Sequence, residues 1–208
     1  MSQNKIYLIG IAGGSGSGKT SFLRELLNHF PLDKISLVSQ DNYYFPKQEQ
    51  QADENGVINF DLPTSIDRDH FYADMNTLIK GEPIEKQEYN FNNPAWAPEK
   101  VIVHPAPVII MEGLFVFYYE EIRKKLDCKV FIDVHHEERL GRRIRRDAQE
   151  RGYPEHEVRY QWDHHVRPAE EKYLDPYINE CDLIVDNTLH FKEGLEKLTD
   201  IIALQLEK

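Results

Sequence analysis

The chain is poor in cysteine, methionine and tryptophan, and the first shortage already excludes whole classes of protein. Its two cysteines, Cys128 and Cys181, stand far apart, so they supply neither a disulfide framework nor the paired spacing of a zinc site. They read as small buried apolar side chains in a protein of the reducing cytoplasm. Basic residues are outnumbered too: 25 Lys and Arg against 36 Asp and Glu leave a net charge of −11, which argues against general binding to nucleic acid or anionic membrane. No apolar run reaches the length that spans a bilayer, and the first one is too short for a secretory leader. Internal repeats, low-complexity tracts and long linkers are missing as well. A single domain over residues 1–208 is therefore expected, with enough apolar content to bury one good core.

What is present begins at an apolar stretch over residues 6–11, followed by Gly13, Gly14, Ser15, Gly16, Ser17, Gly18, Lys19 and Thr20, with Ser21 continuing into a helix. This is a complete phosphate-binding loop of the Walker A type. Small residues let successive backbone N–H groups turn toward phosphate oxygens, Lys19 adds a cation, and the Thr20 hydroxyl suits Mg²⁺. The next helix points its N-terminus at the anion, and Phe22, Leu23, Leu26, Leu27 and Phe30 recur at helical spacing until Pro31 stops them. A flexible Gly/Ser linker has neither flank. A nucleoside triphosphate, with ATP foremost, is the expected ligand.

Short apolar runs at 6–11, 35–38, 108–111, 130–134 and 183–185 read as buried strands separated by helical patterns at 19–30, 67–80, 119–126, 137–151, 169–180 and 193–206. That alternation predicts an α/β fold with a five-stranded parallel sheet flanked by helices. Residues 83–104 break the rhythm, since Pro94, Pro98 and Pro105 punctuate two short extended segments, and an antiparallel β-hairpin over the sheet edge is expected there.

Ligands of such sheets gather at the carboxyl ends of the strands. Asp41 follows the second strand and Glu112 the third, so Glu112 is a candidate for holding Mg²⁺ and Asp41 for accepting a proton from an attacking hydroxyl. A strand-end carboxylate can equally cap the helix that follows. Arg139, Arg142, Arg143 and Arg146 lie three or four residues apart on one helical face, a crowding that asks for phosphate or carboxylate nearby. Glu137, Glu138 and Asp147 offer such carboxylates, and Arg139 is the arginine with the weakest claim to a ligand. His135, His136, His164 and His165 come in adjacent pairs that project to different faces, which is poor geometry for a metal. Tyr118, Tyr119, Trp162 and Tyr177 are expected at the surface, where they would permit a homo-oligomer interface.

The phosphate loop, Ser39-Gln40-Asp41 with Tyr44, Asn59-Phe60-Asp61, Tyr89 with Phe91, Glu112-Gly113, and the series Arg139, Arg142-Arg143, Arg146-Asp147, Arg151-Gly152 together resemble the phosphoribulokinase and uridine kinase family. The match is ordered and covers most of the chain. It implies a P-loop NTPase-type kinase core with ATP and Mg²⁺, the hairpin covering an acceptor nucleoside, and an Arg-rich lid at about 142–160. It also implies phosphorylation of the 5′-hydroxyl of a pyrimidine nucleoside, uridine or cytidine. On this resemblance Asp41 is catalytic and close to the metal, and Thr20 and Glu112 are its other metal-side residues. Asp61 would accept from ribose hydroxyls with Gln161 beside it, and Tyr44, Phe60, Tyr89 and Phe91 would line the acceptor site. Lys19, Arg143 and Arg146 would attend the transferring phosphoryl group.

Two positions depart from the family pattern. Asn92-Asn93-Pro94-Ala95-Trp96 stands where relatives place a base-reading histidine, and Tyr153 replaces an arginine near the acceptor sugar. Both lie on the acceptor side. A sister kinase acting on another nucleoside or small alcohol, or an NTP-binding regulatory protein, are the alternative readings.

Overall fold

The computed structural model describes residues 5–90 and 97–208. Seven strands and seven α-helices follow one another as β1 Tyr7–Ala12, α1 Lys19–Asn28, β2 Ile35–Ser39, α2 Arg68–Ile79, β3 Ile84–Gln87, β4 Lys100–Val103, β5 Val108–Glu112, α3 Glu120–Arg123, β6 Cys128–Asp133, α4 His136–Arg146, α5 Glu155–Gln161, α6 Arg167–Tyr173, β7 Leu183–Asp186 and α7 Lys192–Leu206 among the described residues. Five of these strands form one parallel sheet in the order β2-β5-β1-β6-β7, as the alternating pattern predicts. The central three read as nearly unbroken apolar runs because helices cover both faces of the sheet.

Period-two alternation decides which side chain goes to which layer. Leu8, Val38, Ile109, Met111 and Phe131 pack with Phe71, Met75 and Leu78 of α2 and with Phe115 and Phe117. Ile9, Ile11, Val108, Ile110, Val130 and Ile132 face the other way, onto Phe22, Leu23 and Leu26 of α1 and Leu195, Leu198 and Ile202 of α7. A change such as Ile110→Ala would leave a void under the phosphate loop's strand at a cost of about 2–5 kcal/mol. Helix α2 begins where the Asp67 carboxylate accepts from His70 N at 3.1 Å, and it ends at Gly81, whose φ of +86° suits glycine.

β3 and β4 form the antiparallel hairpin. It lies at the β2 edge, where the Ser36 hydroxyl donates to the carbonyl of His104 just past β4. Its other anchor is Lys86, whose Nζ sits 3.4 Å from the centre of the Tyr43 ring and 3.1 Å from His70 Nδ1.

Several helix boundaries differ from the periodic reading, each for a local reason. α4 stops at Arg146, and residues Asp147–Arg151 form a wider π turn closed by Gly152, at φ +71°. The expected helix over 169–180 begins earlier, at Arg167, and breaks at Leu174, because Pro176 has no N–H for the ladder and the chain continues as a 3₁₀ segment over Asp175–Glu180. α5 has no counterpart in that reading. Its buried residues Val158, Trp162 and Val166 recur at intervals of four, which drifts off an ordinary helical face. A second π turn, Trp162–Val166, absorbs the drift, with Arg167 N donating to the Trp162 carbonyl. Trp162 and Tyr119 are consequently core residues, at 3% and 6% exposure, so they are not surface aromatics available to a partner.

Candidate active site

The loop between β1 and α1 is held from beneath by groups distant in sequence. Arg139 and Glu170, both buried, make a bidentate pair at 2.7 and 2.6 Å, and a Cβ on Gly14 would come within 1.6 Å of Arg139 Nη1. Only glycine fits above that pair. Arg139 also lies over the Trp162 ring at 5.4 Å, so its role is to brace the loop, consistent with its weak claim to a ligand. Asn187, just past β7, donates from Nδ2 to the Ser17 carbonyl at 2.8 Å. Gly18, at φ +86°, lies against the same Asn187 side chain, and Lys19 Nζ donates to the Gly13 carbonyl at 2.8 Å.

Opposite the loop, sheet register does the positioning. β5 lies between β1 and β2, pairing Glu112 with Ile11 on one side and with Ser39 on the other. The Ser39 hydroxyl donates to Glu112 Oε1 while its oxygen accepts from Asp41 N at 3.3 Å, so one side chain ties the two acidic residues together. Asp41 itself sits in a short 3₁₀ turn that Ser39 caps. Burial, and then the negative charge of Asp41, push the Glu112 carboxyl up to about 7, with Lys19 and Ser39 opposing. Gln40 packs inward beneath them, its Oε1 accepting from Phe115 N at 2.8 Å.

Where the resemblance would place the acceptor, Tyr44 meets Phe60 at 6.0 Å and Tyr89 at 5.4 Å between ring centres. Tyr89 is placed by Asn42, whose Oδ1 accepts from Tyr89 N at 3.1 Å. Burial raises the Asp61 carboxyl, and Arg143, then His165 in its protonated form, Arg146 and Arg151 pull it back down. Phe91 and Pro94 lie outside the described residues.

The arginines divide into distinct tasks. Arg143 reaches Ser15 Oγ from Nη1 at 3.0 Å and Gln161 Oε1 from Nη2 at 2.9 Å, joining α4, α5 and the phosphate loop. Arg142 donates to the carbonyls of Asn187 and Thr188 at 3.0 and 3.1 Å. Asp147, 1% exposed, gathers Arg143 at 3.2 Å, Arg146 at 2.8 Å and Arg151 at 3.5 Å. One buried carboxylate thus fans three guanidinium groups over the site.

All of this surrounds one cavity of about 630 Å³. The residues from Gly13 to Ser21 line it together with Asp41, Tyr44, Phe60, Asp61, Tyr89, Glu112, Arg143, Arg146 and Gln161, which includes every expected site residue among those described. Lys47, Asp147, Arg151, Tyr153 and His165 line it too. Asp147 carries a signal in the sequence, a carboxylate directly after Arg145 and Arg146, whereas His165 carries none that separates it from the other histidines.

The donor set suits a triphosphate with a hard cation. The backbone of residues 13–18, Lys19, the Thr20 hydroxyl and the carboxylates of Asp41 and Glu112 line one space, a donor set of hard oxygens with a single ammonium. No cluster of three or more His, Cys, Asp or Glu suited to holding a metal by itself occurs among the described residues.

Sheet order, phosphate loop and strand-end carboxylates define a P-loop kinase, a nucleotide-binding class. A family model described as phosphoribulokinase/uridine kinase matches residues 8–191, and the chain belongs to that family. It is 36% identical over 202 residues to a uridine kinase of Brevibacillus brevis (strain 47), covering 97% of this chain and 94% of the relative. To a uridine kinase of Lactobacillus helveticus (strain DPC 4571) it is 37% identical over 182 residues, covering 87% and 86%. Its fold is similar to that of D-glycerate 3-kinase from Cryptococcus neoformans, with a TM-score of 0.63 at 16% identity over 88% of this chain and 86% of the other. No helix among the described residues is long and apolar enough to cross a membrane.

Proposed function

We propose that this kinase transfers the γ-phosphoryl group of ATP to the 5′-hydroxyl of a pyrimidine nucleoside, uridine or cytidine. The observation that carries the reading is the shared cavity, in which the Ser39-linked pair Asp41 and Glu112 faces the phosphate loop while Tyr44, Phe60, Tyr89 and Asp61 flank the same space. Aromatic walls suit a planar base, and a carboxylate has acceptor sites enough for a cis-diol. The uridine kinase relatives agree with it.

In this mechanism the backbone N–H groups of residues 13–20 cradle the triphosphate and Lys19 turns from the Gly13 carbonyl to its oxygens. Thr20, Asp41 and Glu112 would hold Mg²⁺, which when bound neutralises charge on the phosphoryl oxygens. Asp41 accepts the hydrogen bond of the attacking hydroxyl and takes its proton. Arg143 and Arg146 add positive charge where negative charge accumulates. Because phosphoryl transfer has a loose transition state, this positioning and neutralisation contribute more than strong base catalysis. On this reading the hairpin insertion and the segment at about 142–160, of which Tyr89, Asn90, Arg142, Arg143, Arg146, Asp147, Glu150, Arg151 and Tyr153 line the cavity, would exclude water as a competing nucleophile.

Tyr153, which lines the cavity where relatives carry an arginine, supports a second reading with a different small alcohol as acceptor. A panel of nucleosides, sugar phosphates and short polyols in a coupled ADP-release assay separates the two. Turnover with uridine or cytidine at a kcat/KM well above every other acceptor is expected, and preference for a non-nucleoside alcohol replaces the first reading with the second.

A further inference from the structure

His165 sits in the π turn between α5 and α6, 2% exposed, and its ring lines the cavity. Its Nε2 is 2.8 Å from Asp53 Oδ2. The same carboxylate accepts from the Tyr160 hydroxyl at 2.7 Å and from the backbone N–H groups of Asn55 and Val57 at 2.9 Å each. Burial acts to raise the Asp53 carboxyl, but these hydrogen bonds from Tyr160, His165, Val57 and Asn55 outweigh it and hold the group well below the usual carboxylate range. An ionised carboxylate only accepts, so the proton between the two side chains belongs to His165 Nε2. In the neutral ring Nδ1 is then a hydrogen-bond acceptor. Nδ1 makes no hydrogen bond among the described residues, and His165 lines the cavity. Packing alone would not explain a buried ring whose partner carboxylate is held by three other donors while its second nitrogen is left without a hydrogen bond among the described residues. Gln161, one helical turn earlier, and Asp61 are its polar companions there, whereas the aromatic wall of Tyr44, Phe60 and Tyr89 is made of ring contacts.

We propose that His165 is a specificity-determining residue of the acceptor site, accepting at Nδ1 a hydrogen bond from an acceptor hydroxyl beside Asp61, with Asp53 as the positioning residue that sets its tautomer. The inference rests on the alcohol-kinase reading above and adds to it a contact that the family pattern does not supply. Tyr153 lines the cavity where the family pattern has an arginine, and His165 would supply a polar contact from a different element.

The test compares wild type with His165→Gln, whose amide N–H still donates to Asp53 while the ring nitrogen is gone. Loss of one uncharged hydrogen bond should raise the acceptor KM about tenfold, with the KM for ATP moving less than about twofold. With the acceptor lacking the contacted hydroxyl, drawn from the 2′-deoxy and 3′-deoxy nucleosides, wild type and variant should converge. Equal acceptor KM values for the two proteins with the full acceptor overturn the inference, as does a variant penalty that persists undiminished with both deoxy acceptors. If wild type prefers a non-nucleoside alcohol, the nucleoside reading fails, and the same comparison with that alcohol and its deoxy derivatives decides His165. A second measurement needs no turnover: ¹⁵N spectra of the imidazole should show His165 protonated at Nε2 and shifted at Nδ1 on acceptor binding. A ring protonated only at Nδ1 overturns the inference.

Discussion

Glu112 should make the protein without nucleotide and Mg²⁺ lose stability as pH rises through neutrality. Its carboxyl moves from an ordinary 4.5 to about 7 in the folded state, mainly by burial and then by the neighbouring charge of Asp41. The sign follows from proton binding: between those two values the native state holds the proton more tightly than the unfolded chain, so the slope of stability with pH is negative. The contribution is fully present below about 4.5 and is lost as pH climbs through 7. At 1.36 kcal/mol for each pKa unit, the 4.5-to-7 interval corresponds to about 3 kcal/mol. Glu112→Gln keeps the shape and a partner for the Ser39 hydroxyl but cannot ionise. Urea unfolding of wild type and variant at intervals from pH 5 to pH 8, with Mg²⁺ and nucleotide removed, should show the variant gaining on wild type by about 2.5 kcal/mol across that range, part of the change falling below pH 5. Parallel stability curves would refute the reasoning, for they would mean that the wild-type carboxyl ionises in the folded state as it does in the unfolded chain.

Three further outcomes are expected. Asp41→Asn should lower kcat by about 10²–10⁴-fold while leaving nucleotide affinity within a small factor, measured by steady-state kinetics and calorimetry; full turnover would remove Asp41 from the chemistry. Asp61→Ala should raise the acceptor KM, and a 2′,3′-dideoxy acceptor should show no such difference between variant and wild type, so equal discrimination by both proteins contradicts a diol contact. Asp147→Ala leaves Arg143, Arg146 and Arg151 crowded without their shared counter-charge and should cost about 3–5 kcal/mol in chemical denaturation, with a fall in kcat/KM for ATP. An Asp147→Ala protein as stable as wild type would show that the arginines do not depend on it.

How far the sequence reaches can be judged residue by residue. The sheet was legible because Leu8 and Ile9, or Ile109 and Ile110, alternate between two buried layers, and a strand covered on both faces leaves a short apolar run whose length and flanking turn residues separate it from a helix. The phosphate loop was legible because its chemistry needs small residues at fixed spacing, and the strand-end position of Glu112 followed from sheet order. What stayed hidden depends on contacts between segments far apart in the chain. Glu170 is unremarkable among the acidic residues of its helix until Arg139 meets it beneath Gly14, and Asp53 is one more loop carboxylate until α5 brings Tyr160 and His165 against it. α5 escaped the periodic reading for a related reason. An ordinary helix carries residues at intervals of four steadily around its axis, so Val158, Trp162 and Val166 look mismatched until the π turn widens the spiral and returns them to the core. The same widening sets which way His165 faces, since one added residue per turn rotates everything beyond it. A local backbone irregularity, invisible in a sequence pattern of fixed period, thereby decides where on the helix surface His165 stands.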